Sequence, residues 1–314
     1  MKTTGLVRRV LQLRELPIIL YTVVIIAAFS LAVNGFFAMK NFENVTRQIT
    51  TVGIVSIGMT LVILTGGIDL SVGAILAFAI NIGGLGIILG WPIWVVYPLM
   101  LALGLVLGAL NGFLVTRIAV PALIITLGTM NLYRGTLMVI TNGRYITPIP
   151  ASYQAIGSGF APFLIFVIVL AVFTFASLRT RFGRNLFAIG GGEQAAVYSG
   201  VPVRRYKMLV YIISGVLSAL AGMILVGKSG FIQPQAGVGY DMTAIAAVVI
   251  GGTSIFGGSG SVPGTFFGSV LLGLILAGLT MLAVNPYWIG LITGALILLA
   301  IALDSLRQTR NRGA

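Results

Sequence analysis

The sequence predicts an all-α integral membrane protein of about ten transmembrane helices, some of them broken at glycines, which form a single domain over residues 1–314. Two observations carry this prediction. Of the 314 residues, 58% are hydrophobic and only 8% are charged, which leaves too few charges to cover the surface of a soluble protein. The apolar residues fall into long runs, most of them close to the ~20 residues that a helix needs to cross a bilayer.

The apolar runs follow one another along the whole chain. The first, at residues 17–37, is longer than a signal-peptide core and lacks a convincing small-residue cleavage site, so it is predicted to be the first span. The others lie at about 49–65, 70–90, 94–116, 121–141, 161–178, 208–227, 243–257, 263–283 and 287–304. Two of them are short and bounded by glycine, which predicts broken helices.

The basic residues predict the orientation of these spans. Most of the 19 Lys and Arg residues fall in alternate loops: four in residues 1–16, then Arg117, six between residues 179 and 207, and three after Asp304. The opposite loops hold Lys40, Arg47, Arg144 and Lys228. By the positive-inside rule both termini are cytoplasmic. The net charge of +13 is therefore a topology signal, and we predict no nucleic-acid site.

The chain also lacks the residue types of most catalytic and metal sites. It contains no Cys and no His, so disulfides, thiolates, imidazole ligands and imidazole proton shuttles are excluded. No group of paired carboxylates replaces them. We therefore predict no catalytic residue, no metal site and no enzyme activity.

The sequence TGGIDLSVG, residues 65–73, places an Asp and three glycines at the seam between two apolar runs. A charge at bilayer depth costs about 2.5–3.5 kcal/mol on insertion scales. One explanation makes Asp69 the N-cap of a helix beginning at Leu70, near the cytoplasmic end of its span, with partial hydration and with the amides of Ser71 or Val72 as donors. The other gives the charge itself a functional role.

A second glycine-rich break, GGTSIFGGSGSVPG, lies between two later spans at residues 251–264. Broken helices are tolerated at membrane depth where they are buried in protein or line a water-filled cavity, so the two breaks predict a translocation path. Ordinary interfacial turns are the alternative. The candidate residues of the breaks are Thr65, Gly66, Gly67, Asp69, Ser71, Gly251, Gly252, Gly257 and Gly258.

The loop at residues 179–207 is the one predicted cytoplasmic loop of appreciable size. Its triple glycine is expected to end one segment, and Glu193 is expected to begin a short helix that Gly200 and Pro202 end. Such a helix, flanked by arginines, is suited to dock on a soluble partner, whereas a plain basic membrane-proximal loop is the alternative. The candidate docking residues are Glu193, Gln194, Ala195, Ala196, Gly200 and Arg204.

Polar residues within the spans are candidates for contact with a solute. Arg134 either pairs with Asp69 or extends to the outer interface beside Tyr133, and we favour the second. Asn111, Thr126 and Asn131 could bond a hydroxylated solute or a neighbouring helix. Small residues at helical spacing, such as Gly104 with Gly108 and Gly268 with Gly273, predict helix packing surfaces.

One nucleotide-binding motif is rejected. GMILVGKS, residues 222–229, satisfies the phosphate-loop pattern, and the apolar run ending at Asp304 resembles its usual companion strand. A phosphate loop must follow a strand and open a helix in water, whereas these residues lie inside a predicted span with Lys228 at its outer end. We predict that this chain binds no cofactor and that any ATP is bound by another subunit.

Three runs resemble the ribose-type sugar permeases of bacterial ABC importers: GMTLVILTGGIDLSVGAILAF, RTRFGRNLFAIGGGEQAAVYSGVPV and GYDMTAIAAVVIGGTSIFGGSGSVPGTFFG. They occur in the family's order, and the resemblance covers nearly the whole chain. It implies an inner-membrane permease that works with a separate Mg-ATP-hydrolysing ATPase, a periplasmic or lipoprotein sugar-binding protein and a second permease copy. Residues 193–200 are similar to the ATPase-contacting EAA loop of such permeases.

Together these features predict alternating access, in which ATP-driven closure of the ATPases moves the docking helix and tilts the spans. Because the path carries few charges, a neutral hydroxylated solute such as a pentose or hexose is expected. A proton-coupled secondary transporter, in which Asp69 titrates, is the main alternative. A passive channel or a membrane enzyme is a third class, which the sequence does not favour.

Overall fold

The computed structural model describes residues 16–285, except 34, 35 and 37, and scattered positions between 288 and 302. These residues form twelve α-helices, a 3₁₀ turn at Ala155–Gly157 and no assigned strand. In chain order the helices are α1 Leu16–Ala32, α2 Met39–Leu64, α3 Val72–Ile88, α4 Ile93–Arg117, α5 Ala122–Thr141, α6 Ala151–Gln154, α7 Ala161–Arg179, α8 Arg181–Gly191, α9 Glu193–Tyr198, α10 Val203–Ser229, α11 Tyr240–Ile250 and α12 Val262–Met281.

Nine of the ten predicted runs therefore contain a helix. Among the described residues, six helices are long and apolar enough to cross a membrane, namely α2, α4, α5, α7, α10 and α12, while α1, α3 and α11 are shorter. The tenth run, 287–304, and the charged segments at both termini lie outside the continuously described part of the chain. The ten-helix count and the cytoplasmic termini stay predictions.

Two boundaries differ most from those predicted. Helix α2 begins at Met39, ten residues before the apolar run at 49, because the mostly polar residues 40–48 form the first turns of the same helix. Helix α11 ends at Ile250 rather than near residue 257, because several glycines that follow it adopt positive φ, including Gly252 at +84° and Gly257 at +88°. A side chain would strain that conformation.

Small residues bring the central helices together. Helix α10 packs along α4 and α2, and α12 packs along α2 and α11. A Cβ at Gly104 would lie 2.7 Å from the Ala219 Cβ, and one at Gly108 would lie 3.1 Å from the Ile212 Cα. Gly268 likewise adjoins Ala247. The predicted role of these glycines in helix packing is confirmed.

Candidate translocation and docking site

The first break separates α2 from α3 over residues 65–71. The Thr65 hydroxyl donates to the Val62 carbonyl at 2.8 Å, and Gly66 adopts a φ of +76°, which only glycine takes without strain. Helix α3 begins at Val72, two residues later than expected, so Asp69 is not its N-cap. As predicted, Asp69 Oδ1 accepts the Ser71 amide, at 3.1 Å. The carboxylate closes a local turn before the helix.

Asp69 lies in a buried polar network rather than in a hydrated interface. It has no exposed surface, so the expected partial hydration is wrong. Its Oδ1 also accepts the Ser71 hydroxyl at 2.6 Å, and its Oδ2 accepts the Ser214 hydroxyl of α10 at 3.0 Å. The Asn111 amide donates to the Ser71 Oγ at 2.6 Å, and the Tyr133 hydroxyl donates to the Asn111 Oδ1 at 3.0 Å. The network thus links the start of α3 to α4, α5 and α10.

Thr126 bonds the same break from α5. Its hydroxyl accepts the Leu70 amide at 3.2 Å and donates to the Ile68 carbonyl at 3.1 Å. Thr126 and Asn111 are both fully buried, and protein groups occupy their polar atoms. In this conformation neither is accessible to a solute, and both hold the break in place.

The second break contacts the first. After α11, Gly257 lies against Gly66, since a Cβ on it would come within 2.8 Å of the Gly66 nitrogen. The Gly258 amide donates to the Leu64 carbonyl at the end of α2, at 3.1 Å. The Ser261 hydroxyl then caps α12 by accepting the Gly264 amide at 2.8 Å. Two segments separated by about 180 residues therefore form one cluster. We call it the break cluster, of residues 64–71 and 251–261.

Helix α8 reaches this cluster directly. Thr180 caps it by accepting the Phe182 amide at 3.1 Å. At its other end a Cβ on Gly190 would collide with the carbonyl of Leu64 and the backbone of Gly258. Helix α8 ends at Gly191 with Gly192 as its C-cap, so it ends within the triple glycine, as predicted.

The short helix α9 covers Glu193–Tyr198, and it begins at Glu193 as predicted. Ala196 is its buried member and packs with Ile189 and Val203. Glu193 pairs with Lys207 of α10 at 2.6 Å. The other candidate docking residues are exposed, namely Gln194, Ala195, Gly200 and Arg204. The helix is thus fixed on one side and open on the other.

The structure also changes the predicted surroundings of Arg134. Its Nη1 lies 3.5 Å from the Ala236 carbonyl, and its Nη2 lies 3.4 Å from the place that a Gly73 Cβ would take. It therefore neither pairs with Asp69 nor extends to the outer interface, and Tyr133 is buried. Asn131 is exposed and donates to the Leu127 carbonyl of its own helix at 3.0 Å.

The carbonyl beside Arg134 belongs to a segment that sequence reasoning missed. Residues 230–239 leave α10 and run along α3 without helical structure. Ile232 and Ile146 exchange backbone hydrogen bonds, the Asn81 amide donates to the Gln233 carbonyl at 3.2 Å, and Gly237 lies against Gly73 at the start of α3. The signal was present as Gly230, Pro234, Gly237 and Gly239 within ten residues. We call residues 230–239 the re-entrant segment.

The rejected phosphate-loop motif, residues 222–229, lies inside α10 as an ordinary helical turn sequence. It neither follows a strand nor opens a helix, which a phosphate loop requires. The structural context therefore agrees with the rejection.

Comparison with known proteins identifies relatives along nearly the whole chain. The family described as "Branched-chain amino acid transport system / permease component" matches residues 41–301. The ribose import permease protein RbsC of Haemophilus influenzae is 39% identical over 298 residues, or 92% of each chain. RbsC of Escherichia coli K12 is 37% identical and covers 94% of this chain and 95% of its own. The xylose transport system permease protein XylH of Escherichia coli K12 is 32% identical and covers 96% and 94%.

Proposed function

Because the chain belongs to the family of ribose-type permeases of ABC importers, we propose that it carries a pentose, a hexose or a related neutral hydroxylated solute inward by alternating access. It is a multi-pass subunit of the inner membrane and a transporter component, not an enzyme. The proton-coupled alternative has no support among relatives that are named as import permeases. Mg-ATP is bound and hydrolysed by the partner ATPase.

The observation that carries this mechanism is the contact of Gly190 with the break cluster. Helix α8 ends against the Leu64 carbonyl and Gly258, and α9 follows after a single residue. A force on α9 therefore reaches both helix breaks through backbone contacts, with no flexible side chain between them. Packed backbone surfaces of this kind shift between discrete arrangements rather than deform continuously.

The ATPase docks on the exposed side of α9. This surface is formed by Glu193, Gln194, Ala195, Gly200 and Arg204 together with Tyr198, which is 87% exposed. On the opposite, buried side of the helix, Ala196 packs against Ile189 and Val203. We infer from the positive-inside rule that this end of the bundle is cytoplasmic.

The path follows the two breaks. Thr65, Gly66, Gly67, Asp69 and Ser71 form one side of the hinge, and Gly251, Gly252, Gly257 and Gly258 form the other. Their close backbone contacts let α3 and α11 tilt together. Asn131 and Arg134 on α5 are the polar groups that the solute meets, whereas Asn111 and Thr126 hold the hinge.

Three partners complete the importer: an ATPase, a periplasmic or lipoprotein sugar-binding protein and a second permease copy, either identical or related. The binding protein supplies most of the substrate selectivity. The decisive experiment is reconstitution into liposomes with these partners, followed by ribose and xylose uptake with and without ATP. Uptake that proceeds equally well without the ATPase would refute the proposal.

The docking surface has its own test, which is co-purification of the ATPase with permease variants. Glu193→Lys reverses a charge on the proposed surface, and Gly200→Trp adds bulk where a Cβ meets open space. Both should lower ATPase recovery by about tenfold, equivalent to ~1.4 kcal/mol of binding.

Two controls separate docking from misfolding. Gly200→Ala shares the backbone strain of a φ of +79° but adds little bulk, so most of the ATPase should be retained. Glu43→Lys makes the same charge reversal at the far end of α2, beside Arg47, and should leave recovery unchanged. Equal recovery with all four variants would contradict the docking role.

A further inference from the structure

Arg134 and Asp241 bring two opposite charges close to the middle of the membrane. Arg134 lies 12 residues after the start of α5 and 7 before its end, hence about 18 Å and about 10 Å along a helix that rises 1.5 Å per residue. Side chains tilt toward the N-terminus of their helix, and the guanidinium accordingly reaches back to Gly73 in the first turn of α3. Asp241 lies in the first turn of α11, just after the re-entrant segment.

Neither charge is fully enclosed by this chain. Arg134 and Asp241 are both partly exposed, beside the exposed Asn131 and Gln235. Each charge would cost about 2.5–3.5 kcal/mol if it faced hydrocarbon on insertion scales. The surface that carries them therefore faces water or protein, not lipid. The same face of α5 contains Gly128 and Gly135, where an added Cβ would meet no atom within 4 Å.

The two charges attract each other but form no ion pair within 4.0 Å among the contacts of the described residues. The guanidinium donors are planar and fixed in direction, and the carboxylate accepts hydrogen bonds. A separated donor and acceptor of this kind can bond neighbouring hydroxyls of one guest molecule. An apolar or a strongly anionic guest would leave at least one of the two charges without a partner.

We propose that Arg134 and Asp241 form a binding site for a neutral polyhydroxylated solute. The site lies on a water-filled face of α5 and α11 that a second copy of this chain closes. The inference rests on the proposed transport function and deepens it. Asn131 and Gln235 extend the same polar face. The second copy supplies the opposite wall, since in a single chain the side chains of Arg134 and Asp241 stay partly exposed at membrane depth.

The absence of native Cys makes this face directly testable by single-cysteine labelling. In liposomes that contain the complete importer, Asn131→Cys is treated with a charged methanethiosulfonate, which reacts with the thiolate that forms only in water. Ile168→Cys is the matched control, because Ile168 is 54% exposed near the middle of α7, a helix with no proposed path residue.

Asn131→Cys should react at least ten times faster than Ile168→Cys, and ribose supplied with the binding protein and ATP should slow the reaction. A bifunctional methanethiosulfonate should join two Asn131→Cys copies into a covalent dimer. Equal rates at the two positions would overturn the water-filled face. A reactive Asn131→Cys that yields no covalent dimer would overturn closure by a second copy.

Transport measurements test the charges themselves. Asp241→Ala should lower the ribose imported per ATP hydrolysed at least tenfold, Asp241→Asn should lower it less because one acceptor oxygen remains, and Arg134→Gln should resemble Asp241→Ala. Glu43→Gln, which alters a charge at the start of α2, should keep the wild-type ratio. A wild-type ratio of ribose imported to ATP hydrolysed in Asp241→Ala would overturn the proposed binding site.

The two proposals fail differently. If the wild-type importer shows no ATP-dependent ribose or xylose uptake, the proposed function fails. If the wild-type importer takes up ribose normally, and Asp241→Ala and Arg134→Gln import as much ribose per ATP as the wild type, only the proposed binding site fails. Continued stimulation of ATP hydrolysis by the loaded binding protein shows that a variant is folded and assembled.

Discussion

Replacing Asp69 distinguishes a structural carboxylate from a charge that is needed for transport. The carboxylate accepts three hydrogen bonds: two at Oδ1, from the Ser71 amide and hydroxyl, and one at Oδ2, from Ser214. Asp69→Asn keeps an oxygen at the Oδ1 position, and the Ser214 hydroxyl can rotate to accept from the new amide. Stability should change by less than about 1 kcal/mol.

Asp69→Ala removes both acceptor oxygens and with them all three hydrogen bonds. Each buried donor left without a partner costs about 1–3 kcal/mol, although measured side-chain hydrogen bonds in membrane proteins average nearer 0.6 kcal/mol. We take about 1 kcal/mol for each donor, and expect a loss of about 3 kcal/mol.

Thermal unfolding in detergent measures both changes, with the loss of the monodisperse size-exclusion peak as the readout. At about 2–4 °C per kcal/mol, Asp69→Asn should shift the midpoint by less than about 4 °C, and Asp69→Ala should lower it by more than about 6 °C. Ser214→Ala, which removes one donor, should fall between the two. Near-normal ATP-driven uptake by Asp69→Asn is also expected. If Asp69→Asn unfolds as early as Asp69→Ala, or folds well but transports nothing, the charge itself is required.

Three further substitutions test other contacts by the same thermal assay. Gly73→Ala forces a Cβ into the Gly237 carbonyl and should cost about 1–3 kcal/mol, whereas Gly128→Ala, with open space around it, should be neutral or stabilising by up to about 1 kcal/mol; equal effects would contradict the close contact. Phe166→Ala empties a fully buried site against α2 and should cost about 3–5 kcal/mol. Tyr133→Phe should cost about 1 kcal/mol, and no change would mean that its hydroxyl bonds contribute nothing.

The helices and the two breaks could be predicted because their signals are local. Long apolar runs imply spans through length alone, and the glycine pairs at residues 66–67 and 251–252 mark where helices stop. The start of α3 was misplaced by two residues for a local reason as well. An Asp before a Ser can close a turn on that Ser instead of capping the helix, and the composition of the segment is the same in both cases.

The contacts between distant segments could not be predicted. The Ser214 hydroxyl that bonds Asp69 is 145 residues away, and one Ser among several on α10 carries no mark of that role. Arg134 finds a backbone carbonyl, that of Ala236, and carbonyls leave no trace in a sequence. The re-entrant segment had a visible signal in its glycines and proline, but its position against α3 depends on packing between chain segments.

The break cluster and the charged pair are joined by two short, stiff connections. Helix α11 has 11 residues and so spans about 16 Å between the second break and the re-entrant segment. The start of α3 leads from the first break to Gly73, which lies against Gly237. A displacement of α8 at Gly190 acts on both breaks at once, and both connections end at the same glycine contact beside Arg134. Movement at the docking helix therefore changes the distance between Arg134 and Asp241 unless α5 and α11 shift by the same amount. Under the proposed function, a solute held by hydrogen bonds to both residues would be released by such a change, and this would couple the ATPase to the proposed binding site through backbone contacts alone.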